Sequence, residues 1–117
     1  MKATENRHII RQGDVLLLPI ADGKLPEKCA AMAPENGRIV LAHGEATGHH
    51  HSFAARDRIA LFREDGSGGG LYLSVAGDAP APLEHQEHST LMIAPGAYKV
   101  IRQREWSDAD EPMQVED

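Results

Sequence analysis

Sulfur and aromatic rings are scarce in this chain of 117 residues. Cys29 is the one cysteine, so no internal disulfide can form; a lone thiol fits a reducing compartment better than a disulfide-stapled scaffold. The aromatic residues are two Phe, two Tyr and one Trp. That is too few to build a core, which must rest on Leu, Ile, Val and Ala, and too few for a base-stacking platform. No apolar run approaches the ~18 residues of a membrane helix. Met1 to Arg11 lacks the apolar stretch of a signal peptide. The expectation is a cytoplasmic protein with no membrane partner. Residues 1–106 carry almost no net charge, because all 12 basic and 13 of the 18 acidic side chains lie there. The formal net charge of −6 comes almost wholly from residues 107–117, an acidic tail with Asp108, Asp110, Glu111, Glu116 and Asp117 and no base. A nearly neutral body gives no strong field for nucleic acid, so that partner is not favoured, whereas a small molecule fits. Composition leaves the oligomeric state unspecified.

What is present reads as strands. Asp14 to Ile20 is a short apolar run closed by the Asp22-Gly23 turn, long enough for a buried strand and short for a helix. Arg38 to Ala42, His49 to Ala54, Arg58 to Phe62 and Leu71 to Val75 are further extended runs. Gly66 to Gly70 reads as a hairpin tip, since no Lys-Ser/Thr follows to make a phosphate loop. Thr90 to Ile93, Pro95-Gly96 and Ala97 to Arg102 read as the clearest hairpin, with Pro and Gly supplying the corners. Residues 27–33 have the composition for a short helical turn, ended by Pro34. Short strands with turn residues between them predict an all-β fold, a small barrel or sandwich, with one domain over residues 1–106.

Histidine is abundant: five of the seven form His49-His50-His51 and His85-Gln86-Glu87-His88. Side chains alternate along a strand, so His49 and His51 should share one face and His50 take the other. His85 and His88 can converge only if their segment is a loop, bulge or helical turn; if it stays extended, His85 pairs with Glu87 on one face. His49, His51, His85 and His88 are therefore the candidate metal ligands, with Glu84 and Glu87 as further ligands or supports and Glu45 nearby. Imidazoles with a carboxylate suit a divalent transition metal, Zn, Fe, Mn or Ni, and leave a position open for water or substrate. Whether such a centre catalyses is open at this point. Against it stands the plain alternative that histidines at loop ends cap turns and pair with Glu, in which case the chain is a non-catalytic binding module.

The same residues support a rival chemistry. His50-His51-Ser52 and His88-Ser89-Thr90 both match H-x-[ST], the mark of two-histidine phosphoesterases. There, two histidines act as general base and acid on a phosphodiester without metal. That scheme uses His50 and His88 and turns His51 away.

The strings Arg11-Gln12-Gly13-Asp14-Val15-Leu16, Gly44-Glu45-Ala46-Thr47-Gly48-His49 with His51, His85-Gln86-Glu87-His88, and Pro95-Gly96-Ala97-Tyr98 running into Arg102-Gln103-Arg104-Glu105-Trp106 occur in this order. The chain resembles a family of small uncharacterised bacterial and phage-encoded proteins that share this order of motifs. The resemblance brings no activity with it. H-x-H on a strand before a later Pro-Gly turn also resembles cupins in part. A cupin would place Glu four or five residues after the second His, where Ala55 and Arg56 stand here, and a last His after the turn, where residues 97–106 have none. A cupin-like barrel is thus a fold analogy, and any metal ligands are not in cupin order.

Overall fold

The computed structural model describes residues 8–44, 48–54, 58–66 and 69–103 and the backbone of 115–116. Eleven strands follow one another: β1 (Ile9–Gln12), β2 (Val15–Pro19), β3 (Cys29–Ala31), β4 (Arg38–His43), β5 (His50–Ala54), β6 (Ile59–Glu64), β7 (Leu71–Val75), β8 (Ala81–Leu83), β9 (Leu91–Ile93), β10 (Gly96–Arg102) and β11 (Val115–Glu116). Among the described residues there is no helix, so none is long and apolar enough to cross a membrane. The large sheet has the order β11-β1-β2-β10-β7-β6-β3 and is antiparallel except for the β1–β11 pair. Its two edges, β11 and β3, are not paired with each other, so the sheet is an open layer and not a closed barrel. The expected acidic tail falls mostly outside the described residues; of it, Val115 and Glu116 run beside Ile9 and Ile10.

The second layer is assembled from two small sheets, β4–β5 and β8–β9. They are joined by one antiparallel bridge: Ser52 N donates to Glu84 O at 3.0 Å and Glu84 N to Ser52 O at 2.8 Å. The core lies between the layers. Leu17, Ile59, Leu61, Leu73, Val75 and Val100 from the large sheet meet Ile39, Phe53, Ala81, Leu83 and Ile93 from the small ones. The period-two alternation of apolar residues along β6, β7 and β10 fits this one-sided burial. Each large apolar side chain so buried stabilises the fold by roughly 1.5–3 kcal/mol.

Two sequence expectations are corrected. Within residues 27–33 there is no helical turn. Cys29–Ala31 is an edge strand on β6, and Met32 N extends the contact by donating to Leu61 O at 2.8 Å. A single helical turn fixes several dihedrals for one hydrogen bond, and Pro26 and Pro34 allow no longer helix; the open edge of β6 offers a ladder instead. The Pro95-Gly96 turn does not close a hairpin. β9 pairs with β8, while β10 pairs with β2 and β7, so the turn carries the chain from one layer to the other. Gly96 takes φ +148° there, a conformation that favours glycine, and Tyr98 OH ties the turn by donating to Ala94 O at 2.6 Å. Buried Ala97, Tyr98 and Val100 need a central place in the large sheet, and that burial outweighs local pairing with β9.

Candidate functional site

The bridge between Ser52 and Glu84 decides which histidines meet, because it sets His51 beside His85. The ring centroids of His51 and His85 lie 4.3 Å apart, those of His85 and His88 4.7 Å, those of His49 and His85 5.8 Å, and those of His51 and His88 6.1 Å. All four candidate histidines therefore form one cluster. On β5 the alternation places His51 and Phe53 inward and His50 and Ser52 on the other face. In β4 a bulge falls between Val40 and Ala42, opposite Ser52 and His51. Such an extra residue re-aims neighbouring side chains. Residues 84–90 lie outside strands apart from the Glu84 bridge, and that irregular path lets His85 and His88 turn toward the same point.

Sequence reasoning missed the residues that hold the cluster: Gln12, Gly13 and Asp14 of the β1–β2 turn, and Arg102. Gln12, His51 and Ser52 are the buried polar side chains among the described residues, at 3%, 2% and 0% exposure. Gln12 Nε2 donates to Leu83 O at 2.9 Å and to Ser89 O at 3.0 Å. Carbonyls only accept, so the amide is oriented and Gln12 Oε1 must be an acceptor. His51 Nδ1 lies 2.8 Å from that oxygen and therefore carries the ring proton. The neutral ring then has its lone pair on Nε2, which faces Asp14 Oδ1 at 3.6 Å and receives no hydrogen bond from a described residue. Burial first, then the charge of His85, pushes the His51 pKa down to about 4 against the pull of Asp14. His51 is thus neutral at pH 7, and its approach to Asp14 is not an ion pair. Burial raises the Asp14 pKa, but Arg102, donating to Oδ2 at 3.2 and 2.8 Å, outweighs it and holds the group below the ordinary value.

Gly13 makes the close approach feasible. Its φ is +59°, and a Cβ there would lie 2.7 Å from His88 Nε2 and 3.2 Å from His51 Cε1. His85 is held differently: its Nδ1 accepts from the Glu87 amide at 3.0 Å, so its lone pair is already engaged. Burial, then the nearby His88 and His49, lowers its pKa too. The Glu87 carboxylate stands at the rim, 3.6 Å from His49 Nδ1. The ring planes are set at angles from 18° for His51 and His88 to 80° for His49 and His85. Among the described residues no three His, Cys, Asp or Glu side chains are arranged, as they stand, to hold a metal ion.

Glu84 is carried to the other face, where its carboxylate pairs with Arg38. Arg38 Nε also donates to Ser52 Oγ at 2.7 Å, and Ser52 Oγ lies 2.9 Å from His50 Nδ1. Gln86 Oε1 accepts from His50 N at 2.8 Å, completing a small polar cavity with His50 and Ser52. Glu45 lies outside the described residues.

The chain belongs to the family described as Domain of unknown function (DUF8820), whose model matches residues 11–103. No curated protein and no solved structure matches it.

Proposed function

We propose that this member of an uncharacterised domain family binds a divalent transition metal at the histidine cluster. The observation that carries the reading is the buried His51. Its Nδ1 proton is fixed by Gln12, and its Nε2 lone pair faces the Asp14 carboxylate at 3.6 Å with no donor from a described residue on that nitrogen. Metal-binding imidazoles are commonly oriented in this way, by a hydrogen bond from the ring's other nitrogen. A lone pair set against an anionic oxygen is unfavourable unless something positive is shared between them. Gly13, with no side chain, lets the backbone of the turn approach His51 and His88 where a Cβ would clash with His88 Nε2. His51 would be the anchored ligand, Asp14 the charged one, and His85 and His88 would complete the set by turning their rings on the irregular 84–90 segment. His85 must give up its bond from Glu87 to do so. His49 and Glu87 lie at the open rim. Nitrogen donors with one carboxylate suit Zn, Fe(II), Mn or Ni, and an ion held so would present an open position to a small molecule. The ligand order differs from that of cupins.

Elemental analysis of untagged protein tests this. The expected result is a stoichiometric transition metal in the wild type, lost in His51→Ala and retained in His50→Ala. The reading fails if the protein purifies metal-free and takes up none of the four ions on dialysis. The metal-free phosphoesterase reading would make His50 the sensitive position. It is less well supported, because His50 stands against Ser52 and Gln86 while His88 lies on the other side among the rings of His51 and His85.

A further inference from the structure

Away from the histidine rings, the largest of the cavities described, about 440 Å³, opens at one end of the sandwich. Arg63 of β6, Leu71 of β7 and Arg102 of β10 sit there on the core-facing side of the large sheet, in the same alternation as buried Leu61, Leu73 and Val100. Leu41 and Ala42, at the β4 bulge, close the opposite wall, and Lys99 also lines the space. Among the described residues the lining thus holds three cationic side chains and no acidic one. Arg102 is engaged with Asp14. Arg63 and Lys99 have no carboxylate partner among the described residues. Arg63 and Lys99 thus leave the hollow with excess positive charge beside the Arg102–Asp14 pair, and an anion entering it offsets that charge. The apolar wall adds a surface for a short hydrocarbon portion.

We infer that this cavity is a binding site for a small organic anion, a carboxylate or phosphate monoester with a short apolar tail. Its head would lie against Arg63, with Lys99 reaching the mouth past Gly70 from the other face of the sheet, and its tail against Leu41, Ala42 and Leu71. The volume is in the range of small-ligand sites. The inference is independent of the metal reading, since neither Arg63 nor Lys99 belongs to the histidine cluster.

The test uses the full chain, treated with chelator so that metal plays no part. Hexyl phosphate, hexanoate and inorganic phosphate are titrated in turn, and binding is followed by amide chemical shifts. The expected result is saturable binding of hexyl phosphate or hexanoate, with the largest shifts at Gly70, Leu71 and Val100. Either compound should bind more tightly than inorganic phosphate, and the better of the two identifies the head group. In Arg63→Gln/Lys99→Gln, both exposed positions, the affinity should fall about tenfold or more while the spectrum stays folded; two lost charge-assisted contacts account for that change. The inference is overturned if no compound saturates, if the shifts map elsewhere, or if the double variant binds like the wild type. Tighter binding of a single-stranded oligonucleotide than of hexyl phosphate would also overturn it in favour of nucleic acid.

Discussion

Gln12 hydrogen-bonds two backbone carbonyls and one imidazole, so a single buried amide fixes the proton position on His51. Gln12→Leu keeps the volume and removes all three bonds. It should destabilise the fold by about 2 kcal/mol or more, because Leu83 O and Ser89 O lose a buried donor. It should also release the His51 tautomer. Urea denaturation reads the first effect and imidazole ¹⁵N shifts the second; an unchanged tautomer population would refute the assignment. His51 also predicts a pH dependence. Its pKa is about 4 in the fold, below the 6.5 of the free side chain. The unfolded chain therefore binds the proton more readily. Stability is full above pH 6.5, falls as pH drops from there toward 4, and levels off below. The window is worth roughly 3 kcal/mol. Denaturation midpoints of chelator-treated protein across pH 7.5 to 4 should show this fall, and His51→Gln should flatten it.

The β1–β2 turn acts as the roof of the cluster. Gly13→Ala places a left-handed backbone strain of about 1–2 kcal/mol in that turn and drives a methyl group against His88 Nε2. The expected outcome is a lower unfolding midpoint together with a displaced His88 ring resonance and weakened metal uptake. A variant that loses stability but keeps the His88 resonance would show that the turn does not shape the cluster. The opposite facing of His50 and His51 was legible because alternation is a local property of two successive peptides, and β5 keeps it, although His49 lies just outside that strand. The meeting of His85 with His51 was not legible. It depends on the bridge between Ser52 and Glu84, which lie far apart in the chain, and on an irregular path whose shape no periodicity records. The Pro95-Gly96 turn teaches the same point from the opposite side. Its residues specify a change of direction, but which strands pair afterwards depends on where Tyr98 and Val100 can be buried.

Across the molecule, folding and ion binding should be linked, because the donors come from the β1–β2 turn, β5 and the 84–90 segment. A ligand held only by the folded chain adds RT ln(1 + [L]/Kd), about 2.7 kcal/mol at a hundredfold excess over Kd. Thermal unfolding should therefore shift upward with the cognate ion in the wild type and not in His51→Ala. A shift of equal size in both would place the ion elsewhere. The open edges of the large sheet and the bridged small sheets make the assembly a sandwich, with its polar residues gathered where turn and layers meet.

The all-β class, the turn positions and the facing of His51 against His50 follow from short apolar runs, glycines and alternation, all local properties of the chain. The partnership of Gln12 with His51, the separation of Glu84 from the histidines and the gathering of Arg63, Lys99 and Arg102 around one cavity came only with the packed layers. Such contacts join residues distant in sequence, and their formation is governed by which strand edges and apolar faces can be buried together.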